Sequence, residues 1–378
     1  MIRGGAAFAP LECAQGMLQG GGVLLATATP EYSRAGLSGM LQPMGIGKLL
    51  DRTIYFYRTH FLQLLTYVAL FTVPLTLINS IFSYFAFEST LTGSALEIGT
   101  TPEEMTSYYV NTLGALGGTY LLGLLTYLFL PLQAAGIAVA LRGFMLEGRE
   151  VALREMLQGV RRHVPALLVL GLAGLVLSLL LTLTLILAPV GMAILTIFGL
   201  AFGLAPFVLV YEGSRGMDAI KRSWMLIQRS IWRVMGIVVA LFLFGFAVGL
   251  AIQAGAQAAT GAFAMLAENP TLLYIVQTVL TSLFGLLVGP VSHGVYGLLY
   301  FDLRVRHEGL DIALAASEGM DEAQVLAAPQ GDEQPVLNNE TWRIIGILSG
   351  AYTGLFVLLC ACIFLLGIGF AALISQGL

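Results

Sequence analysis

From residue 44 onward, every lysine and arginine of this chain falls on alternate connections between seven long apolar runs. The runs cover roughly residues 61–87, 110–141, 164–187, 190–211, 234–258, 271–301 and 344–373. Each is long enough for a membrane crossing, which takes about 20 apolar residues. Inside hydrocarbon the backbone must satisfy its own hydrogen bonds, and the irregular Gly and Pro spacing suits helices rather than barrel strands. The pattern therefore predicts an all-α, polytopic helical membrane protein.

The basic residues set the orientation. Lys48, Arg52 and Arg58 precede the first run, and Arg142, Arg149, Arg154, Arg161 and Arg162 follow the second. Arg215, Lys221, Arg222, Arg229 and Arg233 follow the fourth, and Arg304, Arg306 and Arg343 follow the sixth. The other connections carry Glu88, Glu97, Glu103, Glu104 and Glu268 and no basic residue. The positive-inside rule then places the N-terminus in the cytoplasm and the C-terminus outside. Composition agrees with the membrane reading. Only 11% of residues are charged, against about a quarter in soluble domains.

Three stretches that lead into odd-numbered runs are alike: "DRTIYFYRTHFLQLL", "REMLQGVRRHVPALL" and "KRSWMLIQRSIWRVM". Arg58, Arg161 and Arg229 each stand three residues before Phe61, Val164 or Trp232. Residues 44–315 thus read as three tandem units, each an amphipathic helix followed by two spans. That gives a six-span core. On a helical wheel Ile220, Trp224, Ile227, Ile231 and Val234 share one face, with Arg222, Arg229 and Arg233 opposite. The expectation is an interfacial helix on the cytoplasmic surface, with Trp224 and Trp232 as anchors at headgroup depth. Its arginines would meet anionic lipid at about 1 kcal/mol per basic group. A topology anchor is the plainer reading. Nucleic acid is excluded as a partner, because the basic face is spent on headgroups.

The remaining segments read simply. Residues 1–43 are Gly- and Ala-rich and are expected to be a disordered arm, or an over-extended start with Met40 or Met44 as initiator. Residues 316–343 are acidic and are expected to be a flexible linker. Residues 344–378 form a seventh transmembrane helix, an appendage suited to docking other membrane proteins. Asn339 heads a glycosylation sequon that chance explains on the cytoplasmic side.

Chemistry is sparse. Cys13, Cys360 and Cys362 imply neither a disulfide framework nor a metal set. The only lysines, Lys48 and Lys221, lie at the inner surface, which excludes a Schiff base on the seventh span. His293 is the one candidate ionisable group within a span, and hydrogen bonding to a neighbouring helix is its plainer role. No cofactor is expected. Pairs spaced G-x-x-x-G at Gly199/Gly203, Gly245/Gly249, Gly285/Gly289 and Gly346/Gly350 suit close helix packing. Pro74, Pro131, Pro206 and Pro290 bend spans or frame a cavity. At the inner ends stand Asp51 and Arg52, Glu212 with Arg215 and Arg222, and Asp302, Arg304 and Arg306. Asp302 and Arg306 can pair four residues apart on one helix. The set reads as a salt-bridge layer between units, or as a headgroup pocket that also uses Arg229 and Arg233.

Leu50-Asp51-Arg52, Glu212-Gly213, Arg222-Ser223-Trp224 and Tyr300 with Asp302-Leu303-Arg304 and Glu308-Gly309 carry a resemblance. Over residues 44–315 the chain resembles the bacterial glycerophosphoryl diester phosphodiesterase membrane-domain family. The resemblance implies a bacterial inner-membrane location. Family members can carry a soluble phosphodiesterase barrel. Here there is no His-Arg-Gly motif and no acidic metal cluster for one. The expected function is therefore a non-catalytic scaffold that interacts with lipids or partners. A transporter component and an accessory subunit of a larger complex are the alternatives. An intramembrane enzyme is the weakest.

Overall fold

The computed structural model describes residues 42–94, 101–184, 189–262, 270–316, 322–327, 335, 338–354 and 357. Among these residues the regular structure is all helical. The first unit comprises α1 (Ile46–Thr59), α2 (Phe61–Ser94) and α3 (Pro102–Arg142). A π-helical turn, Gly143–Glu147, extends α3. The second unit comprises α4 (Leu153–Arg161), α5 (Val164–Thr184) and α6 (Pro189–Glu212). The third comprises α7 (Gly216–Gln228), α8 (Ile231–Ala262) and α9 (Pro270–Glu308). Two short helices follow, α10 (Leu310–Ala316) and α11 (Glu322–Ala327), and then α12 over residues 339–354.

Five helices are long and apolar enough to cross a membrane, or six when the bent pair α4 and α5 counts as one span. Their outer surfaces are apolar. Leu62, Leu113 and Phe242 are 71%, 68% and 68% exposed, which water would not tolerate over so continuous a surface. Most of the expected seventh span, and the N-terminal arm up to residue 41, lie outside the described residues.

In every unit a short helix meets its first span at a tight joint. His60, His163 and Ser230 occupy equivalent places there. Each donates its N–H back to the short helix, to Phe56, Val160 and Ile227 respectively. Each also offers its carbonyl to a residue four positions on, Leu64, Leu167 and Val234. The joint between α4 and α5 bends by 81°. The geometry shifts the repeat alignment by one residue in the third unit, because α8 begins at Ile231 and not at Trp232. Each second span ends in Glu-Gly. Gly148, Gly213 and Gly309 have φ of 60°, 67° and 60°, the left-handed cap that glycine alone adopts without strain.

The three second spans α3, α6 and α9 contact one another and form the centre of the bundle. Tyr211 Oη donates to the Ala138 carbonyl at 2.8 Å and so ties α6 to α3. Gly297 of α9 sits where a Cβ would meet Leu141 of α3 and Phe207 of α6. The first spans lie outside this centre, with α2 packed on α3 and α9, α5 on α3 and α6, and α8 on α9. Helices α3 and α9 have 41 and 39 residues, about 60 Å each at about 1.5 Å per residue. That is about twice the hydrocarbon thickness of a bilayer. Their basic ends therefore extend into a layer packed by protein.

The short amphipathic helices build that layer. Helix α4 folds back along α3, with Gly159 against Val139, and α7 along α6, with Ser223 Oγ donating to the Ala201 carbonyl at 2.6 Å. Helix α1 occupies the corresponding place on α9. Met44 meets Asp302, Thr53 meets Gly294, and Tyr57 Oη donates to the Leu287 carbonyl at 3.0 Å. Residue numbers rise along α1 as they fall along α9, so the two run antiparallel. The three units thus close into a ring. This corrects the expectation of helices lying flat on a membrane surface. The predicted stripe is buried, but against protein, and the joint at Arg229 and Ser230 divides it between two helices: Ile227 of α7 and Val234 of α8 are fully enclosed, and so is nearly all of Trp224.

Two other expectations change. Glu322–Ala327, within the expected flexible linker, is a helix with Val325 and Leu326 buried. The sequon region is a helix start: Asn338 Oδ1 accepts from the Thr341 N–H at 2.8 Å, an N-cap. The G-x-x-x-G pairs are mostly not contact sites, since a Cβ at Gly199, Gly245, Gly249, Gly285, Gly346 or Gly350 would meet nothing within 4 Å. The closest backbone approach is at Gly171 of α5, where a Cβ would lie 2.6 Å from the Leu128 carbonyl oxygen of α3. Gly171→Ala should therefore destabilise the protein by about 1–3 kcal/mol, because backbone cannot move aside. Gly245→Ala should be neutral or stabilise by up to about 1 kcal/mol. Thermal melting of both variants in detergent checks the opposite signs.

Candidate functional site

The charged residues at the basic end form two clusters, set apart by the helical geometry of α9. Tyr300, Arg304 and Glu308 recur every four residues and share one face. Asp302 and Arg306 share another, about 200° round the helix. The first face looks toward α6, α7 and α11, and the second toward α8 and the residues before α1.

In the first cluster Arg304 is fully buried. Its Nε donates to Glu308 Oε2 at 2.8 Å, and its Nη1 donates to Tyr300 Oη at 3.0 Å and to the Leu326 carbonyl at 2.6 Å. Tyr300 Oη passes a hydrogen bond to Glu212 Oε1 at 2.9 Å. Arg222 closes the ring, with Nε 2.9 Å from Glu212 and Nη2 2.5 Å from Glu308. Two carboxylates and two guanidiniums balance. Burial alone would lower the pKa of Arg222, but Glu212 and Glu308 more than offset this and hold it above its ordinary value. Balanced pairing of this kind is what lets charges persist away from water.

In the second cluster the buried Asp302 carboxylate accepts from Arg233 Nε at 3.1 Å and from Arg306 Nε at 3.0 Å. It also accepts the Met44 backbone N–H at 2.7 Å. The Met44 carbonyl receives Arg306 Nη2 at 2.8 Å and Arg233 Nη2. One carboxylate faces two guanidiniums, so this cluster carries one excess positive charge.

The structure gathers Glu212, Arg222, Arg233, Asp302, Arg304 and Arg306, and leaves others apart. Asp51 is exposed and makes no ion pair among the described residues. Arg52 lies 3.5 Å from Met44 Sδ, and burial lowers its pKa. Arg215 and Arg229 are exposed. Of the two expected interfacial anchors, Trp232 is 53% exposed, whereas Trp224 is 3% exposed and belongs to the protein core. His293 is half-buried on α9. Among the described residues no group of His, Cys, Asp and Glu could hold a metal ion.

Glu308, Tyr300 and the Met44 backbone were not expected as partners in the ion clusters. Glu308 and Tyr300 entered only through the family resemblance. The Glu-Gly that ends each second span was the available signal. Its glutamates, Glu147, Glu212 and Glu308, each pair with arginine, Glu147 with the exposed Arg149. Comparison with protein-family models, curated proteins and solved structures yields no match.

Removing one member of the balanced cluster leaves a buried charge unpaired. Arg304→Met should cost about 3–5 kcal/mol. Adding Glu308→Leu restores charge balance and should recover a large part of that loss. Arg343→Ala, at an exposed pair with Glu340, should cost at most about 1 kcal/mol. Chemical or thermal unfolding of the purified variants measures all three.

Proposed function

We propose that the chain is a non-catalytic integral protein of the bacterial inner membrane. It is a six-span scaffold of the glycerophosphoryl diester phosphodiesterase membrane-domain type, with its N-terminus in the cytoplasm and its C-terminus outside. It engages anionic lipid and other membrane proteins, the latter through the seventh span. The observation that carries this reading is how the charged groups are spent. Glu212, Glu308 and Asp302 are all held by arginines in buried clusters. A general base or nucleophile needs an open side toward a reacting atom, and these carboxylates are committed to structure.

One observation favours a transporter component as a second reading. A cavity of about 890 Å³ lies between α2 and α9. Thr72, Thr76 and Ser80 line it from one side, and Thr271, Thr278 and Ser282 from the other. Such a mixture of apolar wall and hydroxyls suits an amphipathic solute.

The purified full-length chain, reconstituted in liposomes, should neither hydrolyse glycerophosphodiesters nor carry them across the bilayer. Turnover by the protein alone would remove the non-catalytic reading. Flux of an amphipathic solute that stops in the Ser282→Phe variant would replace it with the transporter reading.

A further inference from the structure

We infer that the seam between α1, α8 and α9 is a binding site for one anionic phospholipid of the inner leaflet. The inference rests on the lipid-engaging reading above and gives it a place. A cavity of about 560 Å³ lies in this seam. Leu50 and Ile54 of α1, Ala240 and Phe244 of α8, and Val291 and Val295 of α9 line it. Its walls are apolar and suit an acyl chain.

The polar end is set by helix geometry. Arg233 precedes Ala240 by seven residues and Phe244 by eleven, so it shares their face of α8. Asp302 follows Val295 by seven residues and Val291 by eleven, and shares theirs on α9. The second ion cluster therefore stands about 10 Å, or two helical turns, beyond the apolar cavity on both helices. The headgroup layer of a leaflet is about 5–8 Å thick. One lipid can reach both regions.

Charge completes the match. The cluster holds one carboxylate and two guanidiniums, so one positive charge is unbalanced. Asp302 is enclosed, whereas the side chains of Arg233 and Arg306 are 21% and 31% exposed. Their Nε and Nη2 atoms are taken by Asp302 and Met44. Nη1 of each has no hydrogen-bond partner among the described residues. A phosphate diester brings one negative charge and oxygens for both donors. A zwitterionic lipid brings no net charge to balance the cluster.

The test uses the full-length chain in phosphatidylcholine vesicles that contain a trace of acyl-chain spin-labelled phosphatidylglycerol. Electron paramagnetic resonance reads the motionally restricted lipid. The labelled phosphatidylglycerol should associate more strongly than labelled phosphatidylcholine. Arg306→Gln and Arg233→Gln should each weaken it about fivefold, the equivalent of about 1 kcal/mol per basic group. Ala240→Trp, which fills the apolar end and leaves the charges in place, should lower the restricted fraction of both lipids. Inorganic phosphate should not displace the label. Displacement by phosphate, or a preference for phosphatidylglycerol that survives Arg306→Gln, overturns the site. A preference that depends instead on the exposed Arg161 and Arg162 also overturns the site but leaves lipid engagement standing. No preference at all overturns both.

Discussion

A carboxylate shut away from water must be neutralised where it stands, and Asp302 is such a group. It is enclosed on α9, and its partners come from α8 and from the chain just before α1. That requirement draws the start of the first unit onto the end of the third. Without it α1 would lose the buried polar tie that supplements the Tyr57 hydrogen bond to the Leu287 carbonyl. With it, α1 lies along α9 as α4 lies along α3 and α7 along α6. The closed ring of three units is thus tied at its seam by one buried carboxylate. The Glu212, Arg222, Arg304 and Glu308 cluster ties the adjacent corner in the same manner and recruits α11 through the Leu326 carbonyl.

The two clusters differ in a way that bears on function. The first balances its charge internally, so it reads as a fastener. The second has an excess positive charge and two partly exposed arginines beside an apolar cavity. Its protein partners leave donors over. Structural need and ligand affinity therefore part company at α9, on two faces of one helix.

Much of the architecture was legible in the sequence because hydrocarbon permits few solutions. The apolar runs became α2, α3, α5, α6, α8 and α9, and the basic stretches between them became short helices. The wheel over residues 220–234 put the buried apolar residues on one face, although the structure breaks that stretch between α7 and α8. What it could not state is what the apolar stripe faces. Trp224 and Trp232 look alike in sequence, yet one packs into the core and the other is exposed. The difference arises because α7 folds back along α6 and carries Trp224 into the core, whereas Trp232 lies beyond the joint, at the start of α8, on an exposed face. The partners of Asp302 were equally hidden. Arg306 is four residues away and was foreseeable, but Arg233 and Met44 are 69 and 258 residues away in sequence. A backbone carbonyl used as an arginine acceptor leaves no mark on a sequence. The acidic linker misled for a related reason, since Leu326 is buried by contacts that local composition does not encode.

The ring closure between α1 and α9 is the claim on which this arrangement turns. In the folded chain a side chain at position 294 would meet Thr53 at 3.1 Å. The direct measurement is disulfide formation in native membranes by a Thr53→Cys, Gly294→Cys variant, with Cys13, Cys360 and Cys362 replaced by serine. Ring closure predicts an intramolecular disulfide under mild oxidation, seen by mass spectrometry of peptides joining α1 to α9. An α1 that lies on the membrane surface away from α9 would leave both thiols free to alkylation, and that result would contradict the account.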